Sequence, residues 1–223
     1  MQVESHSVNI VRKPWGYEYL VYQNSDVALW FLYIAHNQQT SFHAHPNKTT
    51  GLIVLSGDAE ISFFDNKINV SSLEKVSIRK GFFHSTKSLS ETGTCLFEIE
   101  SPNNKLDLVR FKDSYGREGK PYEDSSFEYP KQDDCLSIDT LKEQDILLCS
   151  CRLQITKIKS ILDFDSFNDD VNVMFLSGGI MTDYNIKVIN PADIVKIKII
   201  KELTQVFNII DEDTFVIVFN KNE

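Results

Sequence analysis

Three histidines are the residues in this sequence whose spacing could support chemistry. His43 and His45 lie two positions apart in the segment FHAHPNK (42–48), which otherwise reads as a strand. Alternate side chains of a strand share one face, so both imidazoles are expected to point the same way, about 7 Å apart. His84 follows the turn-like segment RKGFF (79–83) and leads into another strand-like run. Three imidazoles from two neighbouring strands predict a site for one divalent metal ion, with Zn, Fe, Mn or Ni as candidates.

The same spacing also allows a structural interpretation. His43 and His45 could lie with Asn47 on a solvated face of an amphipathic strand, with Phe42 and Ala44 on the opposite face. The third histidine would then be unrelated to them. The spacing of the histidines does not decide between the two interpretations.

The elements that would position these histidines are predicted to be strands. The chain has 223 residues, of which 42% are hydrophobic and 25% are charged, which is enough apolar material for one large or two small cores. Fifteen Phe and eight Tyr accompany many Ile and Val in short runs that alternate with polar residues, whereas helical periodicity is scarce. Short strands between turn signals predict an all-β fold of the sandwich or barrel type.

A polar segment that contains Gly and Pro, residues 114–134, divides the chain. We therefore predict three regions: a metal-binding barrel over residues 1–113, a linker over 114–134, and a second barrel over 135–223.

The two halves share short matches at a constant interval. Chance could produce each match, but three at one interval predict a duplicated β unit. The matches are Leu-Ser-Gly at 55–57 and 176–178, Ile-Asn at 68–69 and 189–190, and apolar runs at 95–97 and 216–218.

The same interval predicts that the second barrel lacks a metal site. It places the first-half positions 43, 45, 50 and 84 on Phe164, Ser166, Val171 and Gln205, none of which is a typical metal ligand. We expect this half to be retained for packing, for dimerisation or for covering the first pocket.

Composition and charge exclude several classes of function. The net charge of −9 argues against a nucleic-acid partner, which normally meets a basic surface. The first residues lack the pattern of a signal peptide, and no apolar run approaches the roughly 20 residues that span a bilayer. We therefore expect a cytoplasmic protein without a membrane partner. In a cytoplasmic protein the four cysteines are expected to be reduced thiols that pack in strands. Cys149 and Cys151 could suggest a metal site, but no histidine follows residue 84 to complete it.

The histidine-bearing segments resemble the two motifs of the cupin superfamily. The segments are TSFHAHPNKTTGLIVLSG (40–57) and IRKGFFH (78–84). The resemblance implies jelly-roll barrels, here a bicupin with a degenerate second barrel, and a metal held by His43, His45 and His84. The superfamily motif places a glutamate ligand seven residues before its final glycine, and this chain has Thr50 at that position.

A narrower resemblance covers about residues 10–117. KPWGY (13–17) and DLVRFKDSYGR (107–117) are similar to the motifs that open and close the isomerase domain of type II mannose-6-phosphate isomerases. The resemblance implies action on a phosphorylated or nucleotide-linked sugar, of isomerase or epimerase type, in surface polysaccharide metabolism. It implies that Arg110 lies near the sugar and that Glu98, if it points inward, carries the proton.

The remaining site predictions concern the substrate and the assembly. Lys48 and Lys80 are candidates for binding an anionic group, Thr50 for a place beside the metal, and Tyr17 either for stacking on the sugar or for packing. We expect a small-molecule sugar ligand and a homodimer. Two other functions remain open. One is a sugar-binding protein without activity, and the other is an Fe(II)-dependent dioxygenase of small molecules with three histidine ligands.

Overall fold

The described residues form mainly antiparallel β-sheet with few helical turns, which confirms the predicted all-β jelly-roll fold. The structure is a computed structural model that describes residues 9–120, 128–130 and 135–222. It divides into two compact units, of which the first ends at Ser137 and the second begins at Ile138.

The described part of the first unit has twelve strands. They are β1 (Asn9–Lys13), β2 (Gly16–Gln23), β3 (Ala28–Ile34), β4 (Phe42–Ala44), β5 (Thr49–Ser56), β6 (Ala59–Ser62), β7 (Lys67–Val70), β8 (Lys75–Ile78), β9 (Ser85–Ser88), β10 (Thr94–Ser101), β11 (Val109–Lys112) and β12 (Glu128–Pro130).

These strands form a larger and a smaller layer. The larger sheet has the order β12-β1-β2-β3-β10-β5-β8. The smaller layer contains the sheet β7-β6-β9 and the strand pair β11-β4. Two isolated bridges, Gln39–Lys87 and His43–His84, connect the segment around β4 with the segment around β9. The core between the layers takes Trp30, Leu52 and Leu96 from the larger sheet and Ile61 from the smaller one.

Strand alternation places charged side chains inside this core. On β10, Leu96 is a core residue, so Glu98 and Glu100 share its inward face. β10 lies between β3 and β5 in the middle of the larger sheet. The two glutamates therefore point toward the layer that carries the histidines.

The second unit has eight strands and two short helices among its described residues. They are β13 (Gln144–Leu148), β14 (Cys151–Lys157), a 3₁₀ helix (Ile161–Ser166), β15 (Asn172–Ser177), β16 (Ile180–Met181), β17 (Lys187–Ile189), β18 (Ile194–Lys196), helix α1 (Ile197–Leu203), β19 (Ile209–Ile210) and β20 (Phe215–Lys221).

The two units share a strand order. The sheet β13-β14-β20-β15-β18 repeats the order β2-β3-β10-β5-β8, and β17-β16-β19 repeats β7-β6-β9. The paired Leu-Ser-Gly segments end equivalent strands. Gly57 and Gly178 follow them at φ values of 80° and 68°, where a side chain would clash with neighbouring atoms. These parallels support the duplicated β unit.

Part of the segment predicted as a linker packs with the first unit. The hydroxyl of Tyr115 donates to the side chain of Gln38, and its ring packs against the first core. Glu128–Pro130 pairs with β1. The rest of the predicted linker, 121–127 and 131–134, lies outside the described residues.

Two further observations concern cysteines and membranes. None of the four cysteines forms a disulfide, and Cys151 is buried within β14. The described part of the chain has no helix that is long and apolar enough to cross a bilayer.

Candidate metal centre

The three histidines converge because two chain segments pair at their positions. The backbone of His43 pairs with that of His84 through two hydrogen bonds of 2.9 and 2.8 Å. His45 lies two residues after His43 and faces the same side. The ring centroids are 4.6 Å apart for His43 and His84, 5.0 Å for His43 and His45, and 5.7 Å for His45 and His84.

Each imidazole is oriented through its Nδ1 atom. An Nδ1–H that donates to a carbonyl leaves the Nε2 lone pair available for a ligand, which is how histidine ligands of metals are usually held. The carbonyl partners are Ser41 for His43 at 2.7 Å, Asp107 for His45 at 2.7 Å and Phe82 for His84 at 3.1 Å.

Glu98 completes a group of four possible ligands. One donor atom from each of His43, His45, His84 and Glu98 lies within 4.8 Å of all the others. Two donors bound at about 2.1 Å to one ion are at most about 4.2 Å apart, so small side-chain movements would bring all four into reach. The Nε2 atom of His45 is buried and has no hydrogen-bond partner among the described residues. The donor set therefore fits a divalent transition metal.

The protonation of these groups also suits metal binding. Burial holds the pKa of His43 well below its usual value, and the neighbouring histidines lower it further. Burial likewise lowers the pKa of His84 to about 4. Burial alone would raise the pKa of Glu98, but the adjacent His45 ring and the charge of Lys105 lower it below its usual value. Neutral imidazoles beside an ionised carboxylate are the forms that bind a metal ion.

A buried ion pair lies beside the histidines. Lys48 and Glu100 are 1% and 2% exposed, and Nζ of Lys48 donates to Oε1 of Glu100 at 2.7 Å. The same oxygen is 3.5 Å from Nε2 of His45, while Oε2 of Glu100 has no hydrogen-bond partner among the described residues. Burying two charges costs desolvation energy, and their close pairing offsets part of that cost, so neither residue can lose its partner without a large penalty.

A second charged group lies around Glu18. Its Oε1 atom is 3.1 Å from Nζ of Lys105 and 3.5 Å from Nζ of Lys13. Lys105 also lies 3.5 Å from the ring centroid of Trp30, a cation–π contact. Burial lowers the pKa of Lys105, but the nearby glutamates, Glu18 above all, raise it above its usual value. Lys105 is therefore charged at neutral pH.

Asp107 fixes the loop that carries His45. Its backbone carbonyl accepts from His45, and its carboxylate accepts from the backbone amides of Asn47 and Lys48 at 2.8 and 3.0 Å. The side chain of Asn47 also donates to this carboxylate, at 2.9 Å. The loop from His45 to Lys48 is thus held by one residue some sixty positions later in the chain.

Most of these groups, though not His84 or Asp107, line a cavity of about 50 Å³ in the first unit. Arg110 belongs to its lining, pairs with His43 across β11 and β4, and donates from Nη1 to the carbonyl of Lys120 at 2.9 Å. Of the residues predicted from the sequence, the cavity lining includes His43, His45, Lys48, Glu98 and Arg110, and the ligand group adds His84.

Three predicted substrate residues lie elsewhere. Thr50 is buried opposite Glu100 in the pairing of β5 with β10, and it does not line the cavity. Tyr17 is on the other face of β2 from Glu18 and stacks on Tyr33, with centroids 5.3 Å apart. Lys80 is exposed in the turn between β8 and β9. The structure does not bring Tyr17 or Lys80 to the cavity.

Sequence reasoning missed Glu100, Lys105 and Glu18. Glu98 and Glu100 alternate in the strand FEIES, so an inward Glu98 required an inward Glu100. No comparable signal in the sequence marked Lys105 or Glu18.

Several solved structures resemble part of this chain at low sequence identity. A protein with a double-stranded β-helix domain from Klebsiella pneumoniae is 15% identical, with a TM-score of 0.40 over 50% of this chain and 90% of that chain. KdgF from a Halomonas species is 15% identical, with a TM-score of 0.41 over 46% of this chain and 94% of that chain. The capsular polysaccharide assembling protein CapF from Staphylococcus aureus is 20% identical, with a TM-score of 0.43 over 48% of this chain and 34% of that chain. No family model and no curated protein matches the sequence.

Proposed function

We propose that the first unit is a divalent-metal-dependent enzyme that acts on a phosphorylated or nucleotide-linked sugar, as an isomerase or epimerase. The observation that carries this proposal is a group of three buried imidazoles and Glu98 whose donor atoms lie within 4.8 Å of one another beside a charged cavity. Each imidazole is held through its Nδ1 atom by a backbone carbonyl. A structural role for the histidines would leave the Nε2 atom of His45 buried without a hydrogen bond among the described residues, with Oε1 of Glu100 at 3.5 Å.

The proposed ligands are His43, His45, His84 and Glu98. Glu98 supplies from β10 the carboxylate that the cupin motif would place at Thr50 on β5. This assignment gives Glu98 a ligand role in place of the proton-carrying role expected from the sequence. When bound, a divalent cation would polarise a carbonyl or hydroxyl oxygen of the sugar.

The charges around the cavity favour an anionic substrate. The positive charge of Arg117 is offset by the carboxylate of Asp113, to which its Nη2 atom donates at 2.7 Å. The cavity is lined by Lys13, Lys48, Lys105, Arg110 and Arg117 against Glu18, Glu98 and Glu100. Even without Arg117, cationic side chains outnumber carboxylates before any metal ion is added. A phosphate or carboxylate on the substrate would neutralise this excess of positive charge, and the planar guanidinium of Arg110 could donate hydrogen bonds to it.

The cavity size limits what enters it. A volume of about 50 Å³ holds a few waters or the reactive end of a sugar, so the phosphate or nucleotide would lie at the mouth. Isomerisation moves a proton between adjacent carbons, which needs a general base beside the metal ligands, and a carboxylate can serve as that base. Glu100 has that position, and Lys48 holds it there, so we assign Glu100 to accept and return this proton.

Proton exchange with solvent tests the proposal. Zn²⁺-loaded protein would be incubated in D₂O with a panel of hexose phosphates and nucleotide sugars and followed by ¹H NMR. We expect one substrate to interconvert and to lose the carbon-bound proton next to its carbonyl. The His84→Ala variant should leave the same substrate unchanged. A folded, metal-loaded protein that exchanges no proton in any member of the panel would contradict the proposal.

A second candidate is an Fe(II)-dependent dioxygenase. A cavity of about 50 Å³ beside three imidazoles would admit O₂ more readily than a whole sugar. Oxygen consumption by Fe²⁺-loaded protein, dependent on an added small molecule, would favour this candidate over the isomerase.

A further inference from the structure

Four phenylalanines form an exposed cluster on the first unit, which we call the aromatic patch: Phe42, Phe64, Phe83 and Phe111. All six of their pairwise ring-centroid distances lie between 5.0 and 6.4 Å. Phe64 is 66% exposed and Phe111 is 51% exposed, while the other two are partly buried. Contiguous exposed aromatic surface of this kind usually marks an interaction site.

The patch adjoins an open sheet edge. Among the described residues, β11 pairs only with β4, so its other edge carries no strand. Val109 and Phe111 alternate outward on β11 at 48% and 51% exposure, whereas Arg110 between them is buried. An apolar edge strand attracts another strand, and natural proteins normally cover such an edge.

We propose that the aromatic patch and the open edge of β11 form the interface of a homodimer. A second copy of this chain would place the same surface against them about a two-fold axis. In such an interface both copies use the same patch, and a contact from residue i to residue j is repeated from j to i, so the patch must complement itself.

The charges at the rim favour a second copy over another partner. Exposed Asp65 follows Phe64, and exposed Lys112 follows Phe111, whose ring lies 5.5 Å from that of Phe64. A two-fold axis through the patch can bring the aspartate of one copy toward the lysine of the other, twice. A purely acidic or purely basic partner would match only one of the two charges.

The apolar area is adequate for the centre of an interface. At about 200 Å² for an aromatic side chain, Phe64 and Phe111 expose roughly 230 Å² between them. Stable interfaces bury about 800 Å² per partner, with aromatic residues at the centre and charges at the rim.

The proposed interface also lies directly behind the metal centre. Phe42 precedes His43, Phe83 precedes His84, and Phe111 follows Arg110. Neighbouring strand residues face opposite sides, so the same three segments carry the aromatic patch outside and the cavity residues inside. The dimer contact would therefore hold in place the strands that position the site.

Sedimentation velocity of the full chain between about 1 and 100 µM tests the interface, a range set by typical dimer affinities. We expect the parent to sediment as a dimer and the double variant Phe64→Ser/Phe111→Ser to sediment as a monomer with unchanged circular dichroism. Phe82→Ser is the matched control, because Phe82 is 56% exposed but is not one of the four patch residues. This variant should remain a dimer.

Two results would overturn the proposal. One is a parent chain that is monomeric over the whole range, which would mean that another partner or nothing covers the patch. The other is a double variant that dimerises as strongly as the parent. If the double variant fails to fold, Val109→Lys on the exposed edge of β11 replaces it, with the same expectation of a monomer.

Discussion

The two units of this protein share a strand order but bury different side chains. Among the described residues, the second unit buries only three polar side chains, Thr156, Asn172 and Thr214, and none of them is ionisable. The ionisable side chains buried in the first unit are Lys13, Glu18, His43, His45, Lys48, His84, Glu100, Asp107, Arg110 and Asp113.

This difference indicates which residues the fold requires and which the site requires. A jelly-roll of this size closes with an apolar interior, as the second unit shows with its core of Phe164, Phe175, Val216 and Val218. Burying ionisable groups is unfavourable unless they are paired or bind a ligand. The charged interior of the first unit is therefore the feature that the proposed function accounts for and that folding alone does not require.

Positions that the repeat interval aligns should respond differently to truncation in the two units. The interval places His43 of β4 on Phe164, which is fully buried in the 3₁₀ helix of the second unit. Phe164→Ala should lower the free energy of unfolding by about 3–5 kcal/mol and leave the metal content unchanged. His43→Ala should remove most of the bound metal and cost the metal-free protein far less stability. Urea denaturation and metal analysis of both variants measure this, and similar stability losses would argue against the comparison.

The buried ion pair should be the most sensitive feature of the first interior after its core. Lys48→Met leaves Glu100 charged and buried without its partner, so the free energy of unfolding should fall by about 3 kcal/mol. The double variant Lys48→Met/Glu100→Gln should recover much of that loss. A single variant as stable as the parent would show that the pair is not as dry as its burial indicates.

Acid should destabilise the metal-free first unit selectively. Burial lowers the pKa of His84 to about 4. The unfolded chain therefore binds more protons than the folded one between about pH 6.5 and 4, and stability falls as pH falls through that window. His84 alone should cost about 2 kcal/mol between pH 7 and pH 5.

Tryptophan fluorescence can isolate this effect. Both tryptophans, Trp15 and Trp30, lie in the first unit, so their urea transition reports that unit. His84→Gln should reduce the difference between the midpoints at pH 7 and pH 5. An unchanged difference would show that His84 is not buried in its neutral form.

Surface ion pairs should behave alike in both units. Lys67 with Glu60 in the first unit and Arg152 with Asp145 in the second are ion pairs at the solvent-exposed surface. Because solvent screens such pairs, Lys67→Met and Arg152→Met should leave the urea midpoint unchanged within error. A clear shift from either variant would mean that burial is not what separates the two units.

Part of the site could be predicted from the sequence because it depends on local spacing. The alternation of His43 and His45 fixed their common face, and the motif resemblance added His84. Thr50 at the position of the usual carboxylate was also visible, but its proposed replacement by Glu98 was not. That replacement depends on the register of β10 against β5, which no local pattern encodes.

Other features depend on tertiary contacts that spacing does not reveal. The carbonyl of Asp107 orients His45 across 62 residues of chain, and Glu18 meets Lys105 from a distant strand. Tyr17 was a reasonable sugar-stacking candidate because both faces of β2 carry polar and aromatic residues. Only the packed sheet shows that Glu18, and not Tyr17, faces the cavity.

Metal content tests the central claim most directly. The full chain and its His45→Ala variant would be loaded with Zn²⁺, Mn²⁺ or Fe²⁺, dialysed, and analysed by inductively coupled plasma mass spectrometry. The account predicts about one equivalent of one of these metals in the parent and almost none in the variant, with both proteins folded. Equal metal in the two proteins, or no metal in the parent, would contradict it.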